Sequence, residues 1–544
     1  MHIREKKWIL AISILGFLFL AAVSLWKVED RGMQYEVLAE SKWEKLKEKL
    51  VESDTLTLDL TFNSEKLPFD AATKTFYLPL AMEEEWERGT FTGVSGETEI
   101  SVFFLEDFSK ADKLSMIKEN GSVPFVACMG DSYSVYQLKI TGVPIVTFSS
   151  TEQVKDGLSV FAFSLYDYAD KEDWAIHCYT TSSLHGNTSL AYDKKSLRLK
   201  LLEQEDGVFK KHNASLLQMR EDDDWILNGL YADESRIRDK LCIDLWNDTG
   251  ADSNPYGKSF GTDAEYVEVF INDSYQGLYL LMYPIDRKQI GTQALSDQIA
   301  AGETQIERIY KKKYTALWQE TDFVGEMPDP NMPDYRGGFY VKGDTVLGDL
   351  SEWEPLRALA SCITGSDEKF ADEITDIADQ NNVVENWLFY QAIAGFDNQA
   401  KNYYYAVRRQ GDGLRGYFVP WDLNISFGVV YADNPYYCEE DPSTVNQPVL
   451  WEPGQRLVQL DVDGSAGLAK KTWEKWRTGA FSDEALQERI ASLEGFVKDS
   501  GAFAREKERW PEGNCKDDFS LVYEYAGKRM EVVDGYVGAL GETE

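Results

Sequence analysis

Apolar and polar residues alternate over the first quarter of the chain. Between positions 56 and 62 every second residue is Leu or Phe, which places these side chains on one face of a predicted β-strand. Turn residues separate this strand from further short strands, which are predicted at 75–79, 99–104, 124–129 and 133–140. Residues 53–143 are therefore predicted to form a small all-β, sandwich-like domain.

From position 144 onward, segments with the alternation of strands are interspersed with segments that have helical spacing of apolar residues. The pattern predicts strands at 145–148, 159–165 and 196–202, and a hairpin around Asn272-Asp273, whose residue types suit a tight turn. Helical spacing begins at 233–246 and recurs around 351–363, 367–379, 383–394 and 467–540. Residues 144–544 are therefore predicted to be one α+β domain with a helical C-terminal part.

The N-terminus has the pattern of a membrane anchor. Residues 1–7 are mainly basic, and residues 8–26 follow without a charge. Nineteen uncharged, mainly apolar residues are enough to cross a hydrocarbon core of about 30 Å as a helix. Residues 1–27 are predicted to be a cytoplasmic tip and transmembrane signal anchor, and residues 28–52 a charged helical stalk. By the positive-inside rule this makes a single-pass membrane protein with extracytoplasmic main domains, the alternative being a cleaved signal peptide.

Composition excludes several classes of function. The net charge of −37 argues against nucleic acid as a partner, because phosphate contacts need clustered Lys and Arg. Only four histidines occur and none follows His212, which excludes most Ser-His-Asp triads and His-rich zinc sites. The six cysteines have no CxxC spacing, so disulfides and free thiols both remain open.

Two aspartates carry the candidate chemistry. Asp397 is followed five positions later by Asn402, and Asp422 follows a predicted strand in Pro420-Trp421-Asp422. Protein kinases arrange a catalytic base and two magnesium ligands in this order. Magnesium takes oxygen ligands, often one or two carboxylates together with nucleotide phosphates.

Five segments in this order resemble the spore coat protein H (CotH) kinase family. The first resembles that family's RGNSS…KKSYRLK segment, and the third resembles its vfiNgeyqGvY hairpin. The segments are 184–200 (LHGNTS and KKSLRLK), 226–238 (beginning ILNG), 269–279 (VFINDSYQGLY), 397–404 (DNQAKNYY) and 420–422 (PWD).

The resemblance implies an atypical protein-kinase-like fold that covers about residues 140–450 and extends into the helical end. It implies transfer of phosphoryl from ATP, with Mg (or Mn), to Ser or Thr of a protein such as a coat or cell-surface protein. Asp397 would be the catalytic base or the acid that orients the substrate. The metal ligands would be Asn402, Asp422 and Asn424, and the phosphate contacts would come from Lys195, Lys200, Arg198, Gly186 and Asn187.

Departures from the family keep two other hypotheses open. Asn424 stands where the family usually has an acid, His185 replaces its loop arginine, and the strand at 277–283 lacks the acid that often ends it. These differences favour a catalytically inactive kinase-like scaffold or binding protein on the cell surface. In a third hypothesis, Asp397 and Asp422 are the carboxylate pair of a glycoside hydrolase. The aromatic residues Tyr403-Tyr404-Tyr405 and Trp421 would then stack on sugars.

Overall fold

The computed structural model of the chain describes residues 26–28, 33–83, 85–168, 174–250, 254–323, 335–343, 350–432 and 437–541. The segment predicted to cross a membrane lies outside these ranges, apart from Trp26, which begins the first strand. Within the described ranges, none of the helices is both long and apolar enough to span a bilayer.

The N-terminal domain is rich in β-structure. All of its strands are joined by pairing into one eleven-stranded network, whereas a sandwich would have two separate sheets. Helices α1 (Glu40–Lys47) and α2 (Lys113–Lys118) accompany them. The strands are β1 (Trp26–Val28), β2 (Met33–Val37), β3 (Val51–Glu52), β4 (Asp59–Phe62), β5 (Glu65–Lys66), β6 (Phe69–Asp70), β7 (Thr75–Pro79), β8 (Gly89–Ser95), β9 (Thr98–Phe104), β10 (Ser122–Met129) and β11 (Ser132–Thr141).

The prediction that residues 28–52 form a helical stalk is wrong, because this segment contains a strand and packs into the N-terminal domain. Of the residues described in this segment, only those of α1 form a helix, and β2 runs through the middle of the N-terminal network, between β8 and β9. Met33, Tyr35 and Val37 alternate into its core. Trp43 and Leu46 of α1 are also buried, so this segment packs into the domain.

The next eight strands contain a closed ring. Neighbours pair in the order β14-β13-β12-β18-β19-β17-β15, and β15 pairs again with β14. β16 extends from β15 outside the ring. The strands are β12 (Ile145–Lys155), β13 (Leu158–Tyr166), β14 (Ala175–His185), β15 (Ser196–Glu205), β16 (Val208–Lys211), β17 (Asp224–Asn228), β18 (Ala264–Ile271) and β19 (Tyr275–Met282).

Alternation explains the ring's interior. Leu197, Leu199 and Leu201 of β15 point inward and share a buried cluster with Trp225 of β17 and Val267 of β18. The polar residues between the three leucines therefore lie on the outer face of the barrel, where part of the candidate site is built.

A five-stranded antiparallel sheet follows, in the order β21-β22-β20-β23-β24. Its strands are β20 (Arg308–Lys312), β21 (Tyr335–Arg336), β22 (Phe339–Val341), β23 (Tyr403–Gln410) and β24 (Gly413–Pro420), and a hairpin of β25 (Val429–Tyr431) and β26 (Cys438–Glu440) lies beyond it.

Helices surround this sheet and share one large hydrophobic core with it. They are α3 (Arg238–Thr249), α4 (Arg287–Ile290), α5 (Leu295–Ala300), α6 (Glu354–Thr364), α7 (Asp367–Ile377), α8 (Gln380–Ile393), α9 (Glu452–Gln459), α10 (Ser465–Arg477), α11 (Asp483–Asp499), α12 (Ala502–Arg509) and α13 (Ser520–Gly538). The mixed α+β class predicted from the sequence is thus confirmed, with a β-rich N-terminal domain before it.

Helix α12 joins the two domains through buried charges. Arg505 donates to both carboxylate oxygens of Glu268 on β18, at 2.6 and 2.9 Å, and to Thr141 Oγ1 of the N-terminal domain at 2.6 Å. The neighbouring Glu506 accepts from Lys194 Nζ at 2.8 Å. Glycine is required at Gly277, whose φ is +96° and whose missing Cβ would collide with the Glu506 carboxylate.

All six cysteines are free thiols, which settles the alternative left open by the sequence.

The three consecutive aspartates at 222–224 are buried, although a run of acidic residues is usually exposed to solvent. Each of these aspartates is paired, for example Asp222 with Lys288 at 2.6 Å, because a buried carboxylate needs a cation or donor.

Candidate active site

A cavity of about 720 Å³ lies between the barrel and the five-stranded sheet. Its walls combine four parts of the chain that are distant in sequence. These are the β14–β15 loop with Gly186 and Asn187, strand β15 with Arg198, the sheet with Lys311, and the loop after β24 with Asp422 and Asn424.

The loop of Asp397 begins where α8 ends. Ala394 closes that helix in the left-handed conformation, with φ of 53°, and a single 3-10 turn at Phe396–Gln399 carries the aspartate. Asn402 also has a positive φ, of 59°, a conformation that asparagine tolerates better than most residues. Its Nδ2 donates to Asp397 Oδ2 at 2.6 Å, so the predicted base and metal ligand are in contact.

Asn398 ties this loop to the loop of Asp422. Its buried Nδ2 donates to the Asn402 carbonyl at 2.8 Å and to the Trp421 carbonyl at 3.0 Å. The Trp421 amide in turn donates to the Asn402 carbonyl at 3.0 Å. The two loops are therefore held in one fixed arrangement by an amide side chain that the sequence did not single out.

Asp422 and Asp397 have different surroundings. The Asp422 side chain is exposed within the cavity, at a residue with φ of 57°. Asp397 does not line the cavity, and its side chain is only 7 % exposed. Tyr431 Oη donates to Asp397 Oδ2 at 3.2 Å, and Lys401 Nζ lies 3.2 Å from Oδ1.

Both aspartates hold protons more tightly than usual. Burial raises the pKa of Asp397 to about 6, with a further contribution from Asp422 that Lys401 opposes. Enclosure within the deep cavity raises the pKa of Asp422 as well, while Lys311 and Lys401 oppose the shift. The pKa of Asp397 is therefore close to neutral pH, as suits a group that exchanges a proton.

Asp239 is an acid of the cavity that sequence reasoning missed. It lies in the first turn of α3, where its Oδ1 accepts from the Leu423 amide at 2.9 Å and its Oδ2 from Asn228 Nδ2 at 2.8 Å. Burial, then the charge of Asp422, raises its pKa to about 7. A single Asp in a predicted helix carries no sequence signal, because most such residues lie on the surface.

The cations predicted on β15 are placed differently from one another. Arg198 lines the cavity, where its Nε donates to Asp224 Oδ1 at 2.7 Å. Lys200 is paired with the same Asp224 at 2.6 Å and does not line the cavity. Lys195 is not a lining residue of the cavity, and its Nζ donates to the backbone carbonyls of Leu190 and Tyr192. The prediction that Lys195 or Lys200 contacts phosphate is therefore not supported by their positions.

Lys311 is a lysine of the cavity that sequence reasoning did not select. It lies in a run of three lysines, which reads as an exposed strand end, yet it lines the cavity. Its Nζ lies 5.0 Å from the Trp421 ring centre and 5.4 Å from that of Tyr404. Burial, followed by the charge of Lys342, lowers the pKa of Lys311 to about 7. Nearby His185 is kept neutral, with a pKa lowered to about 3 by burial and these cations.

The oxygen donors of the cavity suit a hard cation. Asp422 offers a carboxylate, and Asn402 offers its Oδ1 because its Nδ2 is committed to Asp397. Over the described ranges no group of three or more His, Cys, Asp or Glu residues could hold a metal ion by itself. Magnesium, however, needs only one or two protein carboxylates when phosphate oxygens and water complete its shell. The donor set therefore fits magnesium bound together with a nucleotide.

Comparison with known proteins agrees with the arrangement of these loops. A family model described as CotH kinase protein matches residues 183–533, a span that includes β15, α3, the five-stranded sheet and both aspartate loops. None of the curated proteins compared with this chain matches it. Because the matched span exceeds half of the 544 residues, the chain belongs to the CotH kinase family.

Proposed function

We propose that this chain transfers the γ-phosphoryl group of Mg-ATP to a Ser or Thr hydroxyl of a protein. The observation that carries the proposal is the rigid pairing of the Asp397 and Asp422 loops beside a cavity with cationic walls. Phosphoryl transfer depends on positioning and on neutralising charge, and such a cavity supplies both.

In this proposal Asp397 receives the proton of the acceptor hydroxyl. Its Oδ2 already accepts the Tyr431 hydroxyl, so an acceptor hydroxyl would take that place. As the hydroxyl oxygen bonds to the γ-phosphorus, the bond to the bridging β–γ oxygen breaks and its electrons leave with ADP. The raised pKa of Asp397 favours proton uptake near pH 7.

Asp422 and Asn402, with Asn424 beside them, would hold the metal. Magnesium, when bound, neutralises the charge that develops on the phosphate oxygens. Arg198 and the Gly186-Asn187 loop line the same cavity, and Arg198 and the backbone of that loop would contact the phosphates. Gly186 has φ of 100°, and a Cβ there would collide with Ser189 Oγ, so the loop depends on glycine.

An inactive scaffold is the second candidate. Two observations favour it: Asn424 supplies no charge, and the Asp397 carboxylate is already in contact with Asn402, Tyr431 and Lys401. If residues 8–26 cross a membrane, the acceptor protein of the active enzyme, or the partner of the scaffold, would lie outside the cytoplasm.

Calorimetry with the full chain tests the proposal. We expect magnesium-dependent ATP binding by the wild type and at least tenfold weaker binding by Asp422→Asn, because the metal loses a charged ligand. Asp397→Asn should bind Mg-ATP normally while transfer of labelled phosphate to dephosphorylated casein falls at least a hundredfold.

Asp412→Asn is the matched control, since Asp412 is exposed in the turn between β23 and β24. It should behave as the wild type in both assays. A wild-type chain that binds no ATP with magnesium or manganese would overturn the kinase proposal and leave the scaffold.

A further inference from the structure

One face of the five-stranded sheet gathers three lysines at the cavity. Lys311 of β20 is paired with Tyr404 of β23 and with Tyr340 of β22, and residues opposed in this way project from the same face. Lys313 and Lys342 lie two positions beyond Lys311 and Tyr340. All five residues line the cavity. We call Lys311, Lys313 and Lys342 the lysine face.

The intervening lysine shows that this orientation is specific. Lys312 projects to the opposite face, where it is buried and its Nζ lies 4.5 Å from the Phe339 ring centre. It donates to the Gly337 carbonyl at 2.8 Å. The alternation of β20 thus divides one lysine run into a structural residue and residues that face the cavity.

Among the described residues the lysine face forms no salt bridge, although the charge of Asp422 acts on Lys311. Within the part of the chain that the structure describes, neither Lys311, Lys313 nor Lys342 forms an ion pair. The other cations near the cavity are paired: Arg198 shares Asp224 with Lys200, and Lys401 contacts Asp397.

Three lysines that line one cavity without an ion pair among the described residues mark this face as a site for an anion. Burial and the charges of neighbouring cations lower the pKa values of both Lys311 and Lys342. Protein folding rarely gathers partly buried cations that have no ion pair, because each loses solvation energy. A bound polyanion would supply the missing counter-charge.

Lys311 has the best position to contact that anion. Its ammonium lies against the ring of Trp421, the residue directly before Asp422. The rings of Trp421 and Tyr404 pack edge to face, with their centres 5.7 Å apart, and both contact the Lys311 ammonium. Lys311, on a strand of the five-stranded sheet, therefore lies close to the proposed metal ligand.

We propose that the lysine face binds the phosphate oxygens of the nucleotide and that Lys311 is the residue that contacts them. The inference rests on the proposed function for its choice of nucleotide, but the affinity for polyphosphate can be measured separately. The inference assigns the phosphate-contacting lysine to β20 of the five-stranded sheet, whereas the sequence had suggested Lys195 or Lys200 at β15.

Calorimetry of the full chain with three probes tests this assignment. The probes are Mg-ATP, magnesium tripolyphosphate and adenosine. Lys311→Met should weaken the binding of the first two at least tenfold and leave any adenosine binding unchanged. Lys311→Arg should retain affinity within about threefold, since guanidinium also binds phosphate oxygens.

Lys210→Met is the control, because Lys210 is an exposed strand lysine on β16. The Tm of Lys311→Met should be no lower than that of the wild type, since the variant loses a partly buried cation that has no ion pair among the described residues. If that variant fails to fold, Lys342→Met provides a second test, with an expected loss of threefold or more for both phosphate probes.

The outcomes separate the inference from the proposed function. Equal Mg-ATP affinity in wild type and Lys311→Met would overturn the inference and leave the kinase proposal standing. Tripolyphosphate binding that needs Lys311, without ATP binding, would support the inference and contradict the kinase proposal. Binding of neither phosphate probe by the wild type would overturn both.

Discussion

Asp239 is the residue whose environment departs most from its sequence context. Its carboxyl group is buried, accepts two hydrogen bonds, and faces the charge of Asp422. In the unfolded chain the group would titrate near pH 4, whereas folding raises its pKa to about 7. The folded state therefore retains a proton that the unfolded chain has already lost.

This shift predicts a pH-dependent stability. Between about pH 4 and pH 7 the Asp239 contribution falls as pH rises, because only the unfolded state has released the proton. We expect about 3 kcal/mol of unfolding free energy to be lost from this source between pH 5 and pH 8. Urea denaturation of Asp239→Asn should show a flatter pH dependence than the wild type; parallel curves would contradict the assignment.

A second prediction concerns Asn398. Replacing it with Ala removes the donor shared by the Asn402 and Trp421 carbonyls, and should lower the free energy of unfolding by about 2 kcal/mol. Asn398→Asp keeps the shape but loses the donor when ionised, so it should also weaken Mg-ATP binding. Both variants are compared by denaturation and calorimetry. Unchanged stability in both would contradict the role of Asn398 in holding the two loops together.

At the scale of elements, the turn between β18 and β19 can be tested alone. Asn272 and Asp273 have φ of 49° and 56°, the left-handed values that suit a tight hairpin. Asp273→Gly should leave stability within about 0.5 kcal/mol, while Asp273→Val should cost about 1–2 kcal/mol because a β-branched residue strains this conformation. Chemical denaturation measures both, and equal effects would argue against backbone strain.

The spacing of apolar residues predicted many helices and strands, because each of these elements buries one face along its own length. The hairpin and strand β7 were foreseen from alternation, and α6–α8 from helical spacing. The ring was not, because the parallel pairing of β12 with β18 joins segments more than a hundred residues apart. At the site, spacing pointed to Asp397, Asn402 and Asp422. It could not point to Lys311, since a lysine run has the same composition whether it is exposed or faces a cavity.

At the scale of the whole molecule, Arg505 connects the N-terminal domain, the barrel and α12. Removing one partner of a buried ion pair leaves the other uncompensated, so Arg505→Met should lower the free energy of unfolding by about 3–5 kcal/mol. The double variant with Glu268→Gln should cost less than the sum of the single changes.

Arg489→Met is the comparison, since it breaks the exposed pair with Asp248 and should cost less than about 1 kcal/mol. Thermal unfolding of the full chain should remain a single transition in the wild type, because the buried network links the domains. Two separate wild-type transitions would contradict that coupling.

The closed ring has a practical consequence for anyone who expresses part of this chain. The family match begins at residue 183, but β12, β13 and most of β14 precede it. A recombinant fragment of 183–533 would leave β18 and β15 with unpaired edges and uncover the leucine-rich interior. Such edges pair with strands from other molecules, so this fragment should form inclusion bodies. A fragment that begins before Ile145 retains every strand of the barrel.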